Sequence, residues 1–128
     1  MTGSTLASVA VGGALGATLR YAVSTWLASV AARGEFPWNT LIVNFAGTAI
    51  LAVLTALALN GKGLAEGWQT FIGPGFCGAL TTFSTVAVEL VLLVRAGAMN
   101  HAVLYGTLSF LGSVALVVAI FASLRVGR

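Results

Sequence analysis

Two stretches of this chain, Asn39 to Asn60 and His101 to Leu124, contain no Asp, Glu, Lys or Arg. Each is long enough to cross a bilayer, which takes about 20 predominantly apolar residues in a helix. Charge punctuates the rest of the sequence, because an ionised side chain at the bilayer centre costs about 3 kcal/mol on insertion scales. The nine charged residues are Arg20, Arg33, Glu35, Lys62, Glu66, Glu89, Arg95, Arg125 and Arg128. Thr5 to Ala32 is free of them except for Arg20, and Trp68 to Val94 except for Glu89. The chain therefore predicts an all-α integral membrane protein, a single membrane domain over residues 1–128 with four spans near 5–32, 39–60, 68–94 and 101–124.

A charged fraction of 7% lies far below the roughly 25% of soluble domains. It excludes a disordered chain, which needs low hydrophobicity and high charge. The six basic residues are scattered singly, with no stripe to follow a phosphate backbone. One cysteine, Cys77, allows no internal disulfide, and one histidine, His101, supplies no metal cluster. With no Asp and a lone His, no Ser-His-acid set can be assembled, so an enzyme is not expected.

Gly, Pro, Asn and charge cluster in ARGEFPW (32–38), NGKGLAEG (60–67) and RAGAMN (95–100), which read as connections. Trp26, Trp38 and Trp68 fall near span ends, where an amphipathic indole prefers to sit. The N-terminal run has no positive leader segment, and Arg20 follows it directly, so it reads as a retained first span. With both termini cytoplasmic, Lys62, Arg125 and Arg128 would lie inside and Arg33 and Arg95 outside. That split carries almost no orientation signal and leaves open both a fixed topology and insertion in either sense. Insertion both ways would permit an antiparallel pair with its two-fold axis in the membrane plane.

Polar residues at membrane depth must be satisfied internally, and they are the functional candidates. They are Asn44 in the second span, the run from Gly75 to Leu90 in the third, and Tyr105, Ser109 and Ser113, four apart on one face of the fourth. Gly12 and Gly16 form a GxxxG spacing suited to close helix packing. The string from Gly73 to Gly78 matches GxGxxG, but it follows no strand pattern and contains Pro74, so it is not a dinucleotide loop. Glycines, a proline and then Thr81, Thr82, Ser84 and Thr85 are poor helix formers, and they predict a third helix broken in mid-membrane. Carbonyls freed by such a break are ready cation ligands. Phe83 lies inside this polar run, and the positive edge of a phenyl ring can attract an anion.

GGALGATLRY (12–21), FPWNTLIVNFAGT (36–48), GFCGALTTFST (75–85) followed by Glu89, and LGS (111–113) together resemble the bacterial fluoride channel family, the CrcB or Fluc proteins. The resemblance covers essentially the whole chain and is most specific in the third block. It implies an antiparallel dual-topology homodimer in the bacterial inner membrane, with two fluoride pores and a structural sodium ion at the dimer interface. The sodium would be held by backbone carbonyls of Gly78 and Thr81. Asn44 would be a pore amide donor, Phe83 an anion-facing ring, and Thr82, Ser84, Tyr105, Ser109 and Ser113 further members of the fluoride pathway. Arg20 and Glu89 would stand at its vestibules.

The family pattern continues TTFSTF, whereas this chain has Val86 at the position of the second ring. A tolerated variant, a lower-conductance channel and a subunit needing a ring-bearing partner all fit that difference. Fluoride is small and strongly hydrated, so a pore must replace its water with donors such as the Asn44 amide and the Ser and Thr hydroxyls. The expected function is passive export of fluoride from the cytoplasm. A small dual-topology proton-coupled multidrug exporter is the alternative, but it needs an intramembrane acid in its first span, where this chain has Arg20. A non-transporting membrane anchor is a third reading, one in which loss of Asn44 or Phe83 leaves anion flux untouched.

Overall fold

The computed structural model describes residues 3–27 and 35–127, and every regular element among them is helical. Four helical stretches are long and apolar enough to cross a membrane: Gly3–Leu27, Trp38–Leu59, Glu66–Arg95 and Met99–Ser123. They are called the first to fourth spans below. Residues 28–32 of the expected first span lie outside the described residues, as do Arg33 and Arg128 of the charge count.

The ends of the spans follow from local chemistry. Beyond the second span, Gly61 takes φ +71°, a conformation glycine adopts without steric penalty. The Lys62 N–H then reaches back to Leu57 O at 2.8 Å and the Gly61 N–H to Ala58 O at 3.1 Å. The same closure follows the third span, with Gly97 at φ +75° and the Ala98 N–H on Leu93 O at 2.9 Å. Both are Schellman ends, which satisfy carbonyls a helix terminus otherwise leaves bare.

The third span is not one regular helix. Glu66–Thr70 runs into wide π-type turns over Phe71–Cys77, with Pro74 inside them, and then into the short helix Gly78–Leu80. Proline has no N–H to donate and its ring crowds the preceding turn, so a widened ladder at Pro74 has a local cause. Thr81 (φ −83°, ψ 153°) and Thr82 (φ −152°, ψ 122°) are extended. Helix resumes as Phe83–Arg95, with the Thr82 side chain capping it by accepting from the Thr85 N–H.

Glycine sets the packing of the first span. It lies against Phe71–Cys77 and Gly78–Leu80, and a Cβ at Gly12 would collide with Phe71 O and one at Gly16 with Phe76 O. Backbone thus meets backbone, the close approach that small residues permit between membrane helices. The second span packs on Ser113–Ser123, and Phe83–Arg95 on Met99–Thr107. Between them lies a core of Phe36, Leu41, Val86, Leu93, Ala102 and Tyr105. Phe36 belongs to a segment expected only to connect, yet it is buried with its ring edge-on to Tyr105 at 5.6 Å. Trp26, Trp38 and Trp68 are all exposed at span ends.

Candidate functional site

A groove of about 520 Å³ opens between the second, third and fourth spans. Its walls follow helical periodicity. The second span contributes Asn44, Gly47, Thr48 and Leu51, the fourth Gly106, Ser109, Phe110 and Ser113, each set spaced i, i+3, i+4, i+7. The third span contributes Thr81 and Thr82 at the extended turn, then Phe83, Val86 and Leu90. No charged residue lines the groove among the described residues. Its polar groups are one amide and several hydroxyls, and Phe83 stands 82% exposed beside them.

Asn44 joins the second span to the extended turn. Its Nδ2 donates to Thr82 O at 3.1 Å and its Oδ1 accepts from the Thr82 N–H at 2.8 Å. Both backbone groups of Thr82 are thereby satisfied where the helical ladder lapses, as apolar surroundings require. An amide nitrogen carries two hydrogens, so one donor remains beyond this pair. The Thr82 hydroxyl lies 3.2 Å from Ser84 Oγ and 3.0 Å from Thr85 Oγ1. Ser84 is exposed and is not part of the groove wall.

The carbonyls upstream of the turn are met in another way. In a continuous helix the Thr82 N–H would donate to Gly78 O; here it goes to Asn44, which leaves Gly78 O without its helical donor. Thr81 donates both its N–H and its hydroxyl to Cys77 O at 3.0 Å. Arg20 Nε donates to Ala79 O at 3.0 Å, placing a cation at the C-terminal end of a helical segment, where the peptide dipoles favour it. Arg20 is therefore tied to the third-span backbone and is not a member of the groove wall.

Glu89 and Tyr105 form a separate cluster with Thr40. Glu89 Oε1 accepts from the Thr40 hydroxyl at 2.8 Å and Oε2 from the Tyr105 hydroxyl at 2.6 Å. Thr40 and Tyr105 are buried, at 2% and 0% exposure. The carboxylate so links the second, third and fourth spans. The expected stripe of Tyr105, Ser109 and Ser113 divides here: the two serines line the groove and Tyr105 faces the core. Each four-residue step on a helix overshoots a full turn by about 40°, and the wide turns of Leu108–Gly112 lie between Tyr105 and Ser113. The Ser109 hydroxyl oxygen is buried and has no hydrogen-bond partner among the described residues.

Among the polar and aromatic residues of the groove, Thr48 and Phe110 were not singled out by the sequence reading. The signal for both was periodicity: Thr48 stands four residues after Asn44, and Phe110 stands three before Ser113.

Residues 7–121 match the family described as "CrcB-like protein, Camphor Resistance (CrcB)". The chain is 46% identical over 95 residues, 74% of each chain, to the "Fluoride-specific ion channel FluC" of Vibrio parahaemolyticus. It is 43% identical over 102 residues, 80% of each chain, to the "Fluoride-specific ion channel FluC 2" of Streptococcus pneumoniae. Against the "Fluoride-specific ion channel FluC" of Methylobacterium nodulans it is 40% identical over 121 residues, 94% of this chain and 93% of that one.

Proposed function

This chain belongs to the CrcB-like family, whose members are membrane channels and not enzymes, and from that premise we propose that it is a multi-pass fluoride channel acting by passive electrodiffusion. The observation that carries the reading is the character of the groove: Asn44, Thr48 and Ser113 offer uncharged donors beside the exposed ring of Phe83. A small, strongly hydrated anion loses its water only where such donors replace it, and a neutral lining lets it leave again. The groove suits an ion and offers no reacting group.

In this proposal Asn44 acts twice, fixing the Thr82 backbone with one N–H and facing the anion with the other. Thr82, Ser84, Ser109 and Ser113 are its hydroxyl partners along the path. Tyr105 and Glu89 act on the pathway from the core side, through the Thr40–Glu89–Tyr105 cluster, and Arg20 holds the carbonyl end of the turn near an aqueous mouth. The functional unit is an antiparallel homodimer of dual topology in the bacterial inner membrane, with two pores. The third span is interrupted at membrane depth, and the extended Thr81 and Thr82 support that.

A structural sodium ion at the dimer interface fits the donor chemistry of this turn. Gly78 O lacks its helical donor, Gly78 is exposed, and a Cβ there would meet nothing nearer than Gly73 O at 3.8 Å. Backbone carbonyls of Gly78 and Thr81 would hold it, and the ion would supply fixed positive charge between two copies.

Reconstitution tests the function. Liposomes loaded with fluoride and carrying the purified chain are expected to release it down its gradient, read by a fluoride electrode, without a proton gradient and without comparable chloride release. Background release from inserted, dimeric protein would overturn the proposal.

A further inference from the structure

The fourth-span wall of the groove carries a ring that the proposed pathway leaves unused. Phe110 is 67% exposed and lies within the wide turns of Leu108–Gly112, directly after Ser109. It shares its stripe with Gly106, Ser109 and Ser113. It stands among two serines and a glycine on the wall of the groove.

The opposite wall explains why a second ring is needed there. Phe83 offers one ring, but Val86, the next residue along its stripe, is 4% exposed and packs with Leu41, Leu93 and Tyr105. Valine has neither a polar hydrogen nor a ring edge. No charged side chain lines the groove among the described residues, so its lining meets an anion with donor hydrogens and with the electropositive edges of aromatic rings. Two groove residues supply such edges, Phe83 and Phe110.

Resting on the fluoride-channel reading, we infer that Phe110 is a second anion-facing ring of the pathway, on the wall it shares with Ser113. Phe83 and Phe110 then meet the ion from the third-span and fourth-span walls, and Val86 stays a ringless wall residue that packs into the core. Phe110 lies within the widened turns of Leu108–Gly112, and such turns are frequent at functional sites.

The test compares the wild type with Phe110→Leu and Phe110→Tyr in fluoride-loaded liposomes, with size-exclusion elution confirming the assembly. Leucine keeps an apolar side chain and loses the ring, whereas tyrosine keeps the ring edge. The expected result is a loss of fluoride release of roughly tenfold for Phe110→Leu, the scale of one aromatic contact, with Phe110→Tyr near the wild-type rate. A Phe110→Leu variant that conducts like the wild type overturns the inference and leaves the channel reading standing. Equal losses in both variants overturn it too, since the effect would then follow shape and not the ring. A wild type that releases no fluoride removes the channel reading itself, and this inference with it.

Discussion

Replacing Asn44 by Asp separates what this side chain does for the backbone from what it does for an anion. The substitution is nearly isosteric. Oδ1 still accepts from the Thr82 N–H, now at 2.8 Å from a full negative charge, but the second oxygen faces Thr82 O across the 3.1 Å that an N–H bridged before. Losing one donor and leaving one carbonyl bare costs about 1–3 kcal/mol. The Coulomb term for conduction is larger. A carboxylate about 4 Å from a fluoride ion repels it by about 4 kcal/mol at an effective dielectric of 20. At about 1.4 kcal/mol per decade, that is close to a thousandfold in rate. Chemical unfolding in detergent is expected to show a modest loss of stability, and liposome efflux of the folded, inserted variant is expected to fall to background. Fluoride release near the wild-type rate from Asn44→Asp would refute this reasoning and remove Asn44 from the pathway.

Two other substitutions address the contacts that pack the third span against its neighbours. Tyr105→Phe removes the hydroxyl that donates to Glu89 at 2.6 Å without opening a cavity, so unfolding in detergent is expected to show a loss of about 1–3 kcal/mol, the cost of leaving a buried acceptor unsatisfied. Unchanged stability would mean that the carboxylate is held by other means. Gly16→Ala places a methyl group against Phe76 O and is expected to cost about 1–3 kcal/mol by overpacking, read as a lower thermal midpoint in size-exclusion or light-scattering assays. Gly3→Ala, whose added Cβ meets nothing within 4 Å, is the matched control and is expected to leave the midpoint unchanged.

The four spans were legible because bilayer thickness and the cost of a buried charge act on residues one by one, and the sequence records both. Asn44, Thr82, Phe83, Ser109 and Ser113 were legible as candidates because polar groups in apolar runs need a reason to be there, and all five line one groove. The pairing of those groups was not legible. Nothing in the string indicates that Asn44 meets Thr82, or that Thr40 and Tyr105 converge on Glu89, because such partners come from separate helices whose rotation is set by packing. The burial of Phe36 was missed for a related reason: its neighbours Gly34, Glu35 and Pro37 carry turn chemistry that outweighs one aromatic residue in a local reading. Phe110 was passed over because a phenylalanine in an apolar run draws no notice until the stripe around it is traced.

The hydrogen bonds that tie down the extended turn have a direction along the chain. Its backbone is met by Asn44 from the second span and by Arg20 from the first, both of them N-terminal to the groups they satisfy. A ribosome delivers the chain in that order. Both side chains are already synthesised when residues 79–82 are made, so Ala79 O and the Thr82 N–H and carbonyl can meet waiting partners as the third span takes its place. With the order of these spans reversed, Ala79 O and the Thr82 backbone would be made before either side chain that receives them.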